Sequence, residues 1–337
     1  MRIIYLFVVL LLVGCTQPKT AAMTPQPHSL NNPISRIAPP YLKQGDSVAI
    51  VAPGGILKDR YAGISAAETL LKSWGLVPVL GQYVFAQNHH FAGTDENRLS
   101  DLQWALDDPK VKAVWCARGG YGSMRIIDQL NFESFKESPK WIVGYSDITT
   151  LHNKINGLGI ESIHGMMAVN MELNDNDIQH SIESLKKGLF GQLHSYKIIA
   201  HDANKFGQAQ GILVGGNLTL LAAQLGSKTQ LDTQNKILFI EEIGEYKYHI
   251  DRMLQSLKRA GYFEDCAGII VGDMTQIKAN TTVWGSSTAQ LILDVLEDYN
   301  FPIAFGFPAG HESENRALIF GRNINLDVNK TSTKITF

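Results

Sequence analysis

The chain has 337 residues, 45% of them hydrophobic and 18% charged, with 30 Lys and Arg against 32 Asp and Glu for a net charge of −2. This is ordinary globular composition, long enough for a substantial core and two domains. The cations are scattered, with no run longer than Lys186-Lys187, which excludes a nucleic-acid partner held through its phosphates.

Met1-Arg2 opens an apolar run from Ile3 that ends Leu12-Val13-Gly14-Cys15. One basic residue, about a dozen apolar ones and small residues before a cleavage point describe a secretion signal, too short to span a membrane. The ending resembles the lipobox of bacterial lipoproteins. That resemblance implies removal of residues 1–14, lipidation of Cys15, and a protein anchored on the periplasmic side of a bacterial membrane. Thr16 in place of an aspartate after Cys15 points to the outer membrane under the enterobacterial sorting rule. From Thr16 to Pro40, prolines recur among Thr, Gln, Asn and Ser with no apolar periodicity, so residues 15–40 read as a disordered tether.

Strand and helix signals then alternate. Asp46–Ala52 is an apolar strand run closed by Pro53-Gly54-Gly55, and Ala62–Trp74 has helical spacing stopped by Gly75. Leu76–Leu80 is a second strand. Thr94–Asp108 is an amphipathic helix with Leu99, Leu102 and Leu106 on one face and acids in its first turn. Val111–Ala117, a helix over Met124–Leu130 and a strand over Trp141–Gly144 complete the pattern, which predicts a parallel sheet covered on both faces. Ligands bind such sheets beyond the carboxyl ends of the strands, where Pro53-Gly54-Gly55, Arg118-Gly119-Gly120-Tyr121-Gly122 and Ser146 all fall. These features bound an N-terminal domain over 41–175.

Residues 176–206, polar and weakly patterned, read as the interdomain connection, and 207–337 as a C-terminal domain. There, Gly215-Gly216-Asn217 precedes Leu218–Leu225, and the strand run Ile237–Ile240 ends in Glu241-Glu242. Ile250, Met253, Leu254 and Leu257 mark a helix stopped by Gly261. Strand runs Ala267–Val271 and Ile303–Phe307 follow, the latter leading into Pro308-Ala309-Gly310-His311. Cys116 and Cys266 sit in separate strand runs and read as two buried thiols.

Ser146 sits where an apolar strand turns into a helix, a placement that holds a hydroxyl clear of its own backbone beside free N–H groups. Gly144-x-Ser146 is half of the nucleophile-elbow pattern, with Ile148 where the second glycine would stand; helix capping by Ser146 and Asp147 is the simpler use of the same residues. Arg118–Ser123 lacks the third glycine of a dinucleotide fingerprint and has no Walker lysine, so its glycines suit close backbone approach to a reacting group. The ten histidines show no metal-ligand spacing. His311 differs from the others in following a glycine at the end of an apolar run, on a loop where an imidazole is free to act as a base; an incidental loop histidine is the simpler reading of the same position. Glu241, Glu242 and Glu245 are all eligible partners, and composition and spacing do not choose among them.

Taken together, Val51–Gly54, Ala117–Gly122, Gly144–Asp147, His164-Gly165-Met166, Gly215–Asn217, Glu241–Arg252 and Gly310-His311 resemble the LD-carboxypeptidase family of serine peptidases, from about Ile37 to the C-terminus. The resemblance implies a flavodoxin-like α/β domain followed by a smaller β-rich α/β domain. It also implies Ser146 as nucleophile, His311 as general base, Glu241 as the acid that orients it, and an oxyanion hole from the backbone N–H groups of Gly120 and Asp147. The implied reaction removes the terminal D-alanine from the L-centre of a peptidoglycan tetrapeptide stem, with no metal or cofactor. A homodimer stays open, as relatives often form one. Two departures stand out: many relatives are cytoplasmic whereas this chain carries an export signal, and Ile319 stands where the family often has proline. The alternatives are the family branch that cleaves peptidyl-nucleotide antibiotics, and a non-catalytic lipoprotein that binds peptidoglycan stems.

Overall fold

A computed structural model describes residues 36–172 and 177–337. The leader, Cys15 and most of the tether expected from the sequence lie outside the described residues. Five parallel strands, β1 (Ser47–Val51), β2 (Val77–Leu80), β3 (Val111–Cys116), β4 (Trp141–Gly144) and β5 (Ser162–His164), form one sheet in the order β2-β1-β3-β4-β5. This is the flavodoxin-like order. Alternate residues of one strand feed two different cores: Val48 and Ile50 pack on one face, Ala49 and Val51 on the other. Both faces are covered, which is why these strands read as unbroken apolar runs rather than as an alternation. The helix Asp95–Asp107 starts at Thr94, whose hydroxyl accepts from Asn97 N while the Asn97 side chain accepts from Thr94 N, a reciprocal cap.

The second sheet contains β6 (Ser195–Ile199), β7 (Gly207–Asn217), β8 (Lys236–Ile243), β9 (Gly268–Thr275) and β10 (Ile303–Ala304). β11 (Leu318–Phe320) belongs elsewhere, and β12 (Asn323–Val328) and β13 (Ser332–Thr336) complete the sheet in the order β10-β9-β8-β7-β12-β13-β6. β7 to β10 are parallel, and the other pairings are antiparallel. The expected α/β architecture with two sheets is what the chain adopts. Cys116, at the end of β3, and Cys266, two residues before β9, are buried free thiols.

Three details differ from the sequence reading. Residues 36–40, assigned to the tether, are tied to the body: Ile37 exchanges backbone hydrogen bonds with Gly159 and Glu161, and Pro40 O accepts from Trp141 Nε1. The stretch 176–206 contains the helix Asp177–Leu189 and strand β6; Ile178, Leu185 and Leu189 pack into the core of the first sheet. Ile178, Ile182, Leu185 and Leu189 recur at i, i+4, i+7 and i+11, an amphipathic face that the sequence reading passed over among the polar residues between them. β11 crosses back to pair antiparallel with β5, so the chain beyond His311 completes the first sheet before it returns to the second.

Candidate active site

β4 ends at Gly144, Tyr145 continues extended, and Ser146 turns into the left-handed region at φ +60° before a tight turn feeds the helix Thr149–Gly157. A non-glycine residue held there costs on the order of 1–3 kcal/mol and persists only when its surroundings over-determine it. They do so here through close packing: a side chain on Gly144 would lie 2.8 Å from Ile148 Cγ1. Ile148, at the position where the elbow pattern has its second glycine, thus occupies the space that Gly144 leaves.

The glycine-rich loop after β3 packs directly on this turn. A side chain at Gly119 would come within 3.2 Å of Ser146 Cβ and 3.3 Å of Asp147 N, and Gly120 adopts φ +85°. The Gly54 position is tighter still, 2.5 Å from Gly119 O and 2.7 Å from Asp147 Oδ2. Gly54 and Gly119 are therefore where the loops after β1 and β3 close over the turn after β4. The sequence reading gave Asp147 a backbone N–H in the oxyanion hole or a helix cap; its carboxylate is instead fully buried and accepts from Ser123 N at 2.9 Å. Burial raises its pKa against the pull of those N–H groups and of Arg98. Arg98, also buried, donates to Pro53 O at 2.7 Å and Gly122 O at 2.9 Å, so one side chain ties two of the three loops together.

From the second sheet, β8 brings Glu241 and Glu242. Consecutive strand residues face opposite ways, and the β8–β9 register shifts between Ile240 and Glu242, a bulge of the kind that re-aims a side chain. Glu241 is completely buried and its Oε2 lies 2.7 Å from His311 Nδ1. Glu242 accepts instead from Thr219 N and Oγ1, both at 2.8 Å, from Asn217 Nδ2 and from Ile243 N. Glu245 pairs with His249. The three carboxylates that sequence left equivalent thus have three different partners. His311 sits on the loop after β10, anchored by Asp273 N to Ala309 O and by Glu312 N to the Asp273 carboxylate, and the Tyr145 ring meets its imidazole edge-on at 4.9 Å.

Ser146 and His311 line one cleft of about 330 Å³ with Arg60, Arg118, Gly120, Tyr145 and Asn170 among its walls. Nδ1 of His311 is taken by Glu241, which leaves Nε2 for a hydroxyl. No hydrogen bond joins that nitrogen to Ser146 in this arrangement; such bonds often tighten only once substrate is bound. Burial alone would lower the pKa of His311, but the bond to Glu241 and the charges of Glu241, Glu242 and Asp273 outweigh it, and the net direction is up. Burial pushes the Asp273 carboxyl up to about 7. Of the expected site residues, Ser146, Asp147, Gly120, Glu241 and His311 are brought together, while Cys15 lies outside the described residues. Arg60, Arg118 and Asp273 were not singled out as site residues by the sequence; for Arg118 the signal was its place at a strand carboxyl end before two glycines.

The joint between the sheets explains the remaining motif. A side chain at Gly215 would lie 2.0 Å from Phe239 O, one at Gly216 would lie 2.4 Å from Thr149 Oγ1, and Asn217 N donates to Thr149 Oγ1 at 3.0 Å. Thr149 opens the helix that follows Ser146, and Asn217 pairs in register with Glu241. This glycine pair therefore sets how closely the strand carrying the acid approaches the turn carrying the serine.

Residues 48–165 match the model of the LD-carboxypeptidase N-terminal domain, and residues 210–326 that of the LD-carboxypeptidase C-terminal domain. A probable murein peptide carboxypeptidase of Bacillus subtilis (strain 168) is 36% identical over 287 residues, 84% of this chain and 89% of the relative. The crystal structure of muramoyltetrapeptide carboxypeptidase from Oxalobacter formigenes superposes with a TM-score of 0.77 at 28% identity, covering 86% of this chain and 97% of that one. The microcin C7 self immunity protein MccF has the same fold, with a TM-score of 0.80 at 19% identity over 90% of this chain and 99% of its own.

Proposed function

The chain belongs to the LD-carboxypeptidase family, and from that premise we propose that it is a serine carboxypeptidase that removes the terminal D-alanine from the L-centre of peptidoglycan tetrapeptide stems. One observation carries the reading: a buried Glu241–His311 pair opens into the same cleft as a serine held at positive φ. In this reading Glu241 fixes the tautomer with the proton on Nδ1, and Nε2 takes the Ser146 proton as Oγ attacks the carbonyl of the L-centre. The N–H groups of Gly120 and Asp147 receive the oxyanion. The imidazolium then protonates the leaving D-alanine amine, and water, activated by the same imidazole, hydrolyses the acyl-enzyme. The same proposal has the protein exported and lipid-anchored through Cys15, acting on periplasmic sacculus or its fragments.

The test is mass spectrometry of the purified protein and its Ser146→Ala variant with a diaminopimelate tetrapeptide muropeptide. Loss of one D-alanine with the parent only is the expected result. No loss with either would turn attention to a peptidyl-nucleotide amide, which the likeness to MccF supports at the level of fold alone, or to a binding protein. A binder would keep its affinity for the stem in Ser146→Ala and show no turnover in either form.

A further inference from the structure

A carboxypeptidase differs from an endopeptidase in having to accept a free carboxylate one residue beyond the bond it cuts. That carboxylate carbon lies only about 3–4 Å from the scissile carbonyl carbon, with one nitrogen and one Cα between them. A receptor for it must stand next to the oxyanion donors. It must also be a cation or a cluster of N–H groups, because a carboxylate taken from water without a partner costs several kcal/mol.

Three arginines lie at the carboxyl ends of the first sheet, and their partners separate them. Arg98 is buried beneath the loops and paired with Asp95. Arg60 lines the cleft but its Nε donates to Glu172 at 2.6 Å. Arg118 lines the cleft, immediately precedes Gly119 and Gly120, and pairs with no carboxylate among the described residues; one of its N–H groups donates to Ile56 O. A guanidinium carries five donors in a planar fork, so the bond to Ile56 holds the group in place while other donors stay free. Burial, and after it the charge of Arg60, push the Arg118 guanidinium below its ordinary value. The cleft therefore holds a partly desolvated cation whose charge is uncompensated until an anion arrives.

We infer that Arg118 receives the terminal carboxylate of the peptide, which makes it the residue that restricts cleavage to the last bond of the chain; this rests on the carboxypeptidase reading above. Arg60 in the same cleft is already neutralised by Glu172 and does not compete for that role. The planar fork matters as well as the charge, since it can meet both carboxylate oxygens.

The experiment compares kcat/KM for a tetrapeptide ending in free D-alanine with that for the same peptide ending in D-alaninamide, for the parent, Arg118→Ala and Arg118→Lys. The parent is expected to prefer the free acid. Arg118→Ala is expected to lose about 10²-fold on the free acid, mostly in KM, and to change little on the amide, because only the charge-assisted hydrogen bonds are removed. Arg118→Lys is expected to keep part of the preference. A preference unchanged in Arg118→Ala, or no preference in the parent, overturns the inference while leaving the carboxypeptidase reading standing. A parent that cleaves neither peptide overturns both. If Arg118→Ala melts well below the parent, Arg118→Lys decides: partial preference supports the assignment, and an equal loss on both peptides overturns it.

Discussion

Glu241 and Glu242 are chemically identical neighbours, yet one is bonded to His311 and the other to the start of the helix Leu218–Ala223. The difference comes from the side of β8 on which each emerges, and so from strand register. Composition and spacing could not choose between them; the family resemblance could, and the register supplies the physical reason. Removing the hydroxyl in Ser146→Ala is expected to lower turnover by at least about 10³-fold, and Glu241→Gln by up to about 10⁴-fold, both read from steady-state kinetics. Glu242→Gln should instead lower the denaturation midpoint. The pH profile separates the two acids further. A neutral imidazole is the base, and His311 titrates above its ordinary value largely because Glu241 favours the imidazolium. The acid limb of kcat/KM should therefore lie above pH 6.5 in the parent. It should move to lower pH in the residual activity of Glu241→Gln, where the anion is gone and the imidazolium is less favoured. A limb that stays in place would remove Glu241 from the description of the base.

At the level of elements, the sequence was most legible where local pattern and burial agree. β1, β3 and β4 are apolar runs closed by glycine or a turn, and their ends match the expected boundaries within a residue or two. β6, β11 and β13 gave no such signal, while β12 carries a strict alternation, Ile324, Leu326 and Val328 against Asn323, Asn325 and Asp327, that the sequence reading passed over. β6 is an edge strand with alternating exposure, β11 has only three residues, and all four are stabilised by antiparallel partners distant in sequence or by a local hairpin. The Gly215-Gly216 pair in β7 was visible as a motif, but its purpose lies in what it faces. Gly215 combines φ +135° with 2.0 Å of room before Phe239 O, so Gly215→Ala must move one parallel strand away from another. We expect a loss of at least about 3 kcal/mol in denaturant unfolding. At Gly216 the nearest obstacle is Thr149 Oγ1, 2.4 Å from the added carbon, with Cγ2 at 2.7 Å, so the double substitution Gly216→Ala with Thr149→Ala, which removes both atoms, should recover stability relative to Gly216→Ala alone. Equal stability of the single and double variants would mean that the φ of +137° at Gly216 dominates, not the contact.

Across the whole molecule, the two matched family segments, 48–165 and 210–326, suggest a division that the packing does not respect. The core of the first sheet includes Ile178, Leu185, Leu189 and Leu193 from the stretch between those segments, and Ala317 and Ile319 from near the end of the second. Leu42 N bonds Leu189 O, fastening the start of the described chain to the same helix. Ile319 is buried at the centre of β11 and pairs with Ile163. A proline would lack the N–H for such a ladder, so this chain has a full three-residue strand as its closing edge. A fragment ending at residue 175 would lose β11, the helix Asp177–Leu189 and Leu193 together. That would open the edge of β5 and expose a contiguous apolar face, a combination that favours association over folding. Residues 36–175 expressed alone are therefore expected to show no cooperative transition in denaturant and to aggregate, while the full chain unfolds in a single step monitored by circular dichroism. A fragment that unfolds cooperatively near the midpoint of the full chain would show that the crossing strand and helix add little, and that the serine half of the site is built without the half that carries its acid and base.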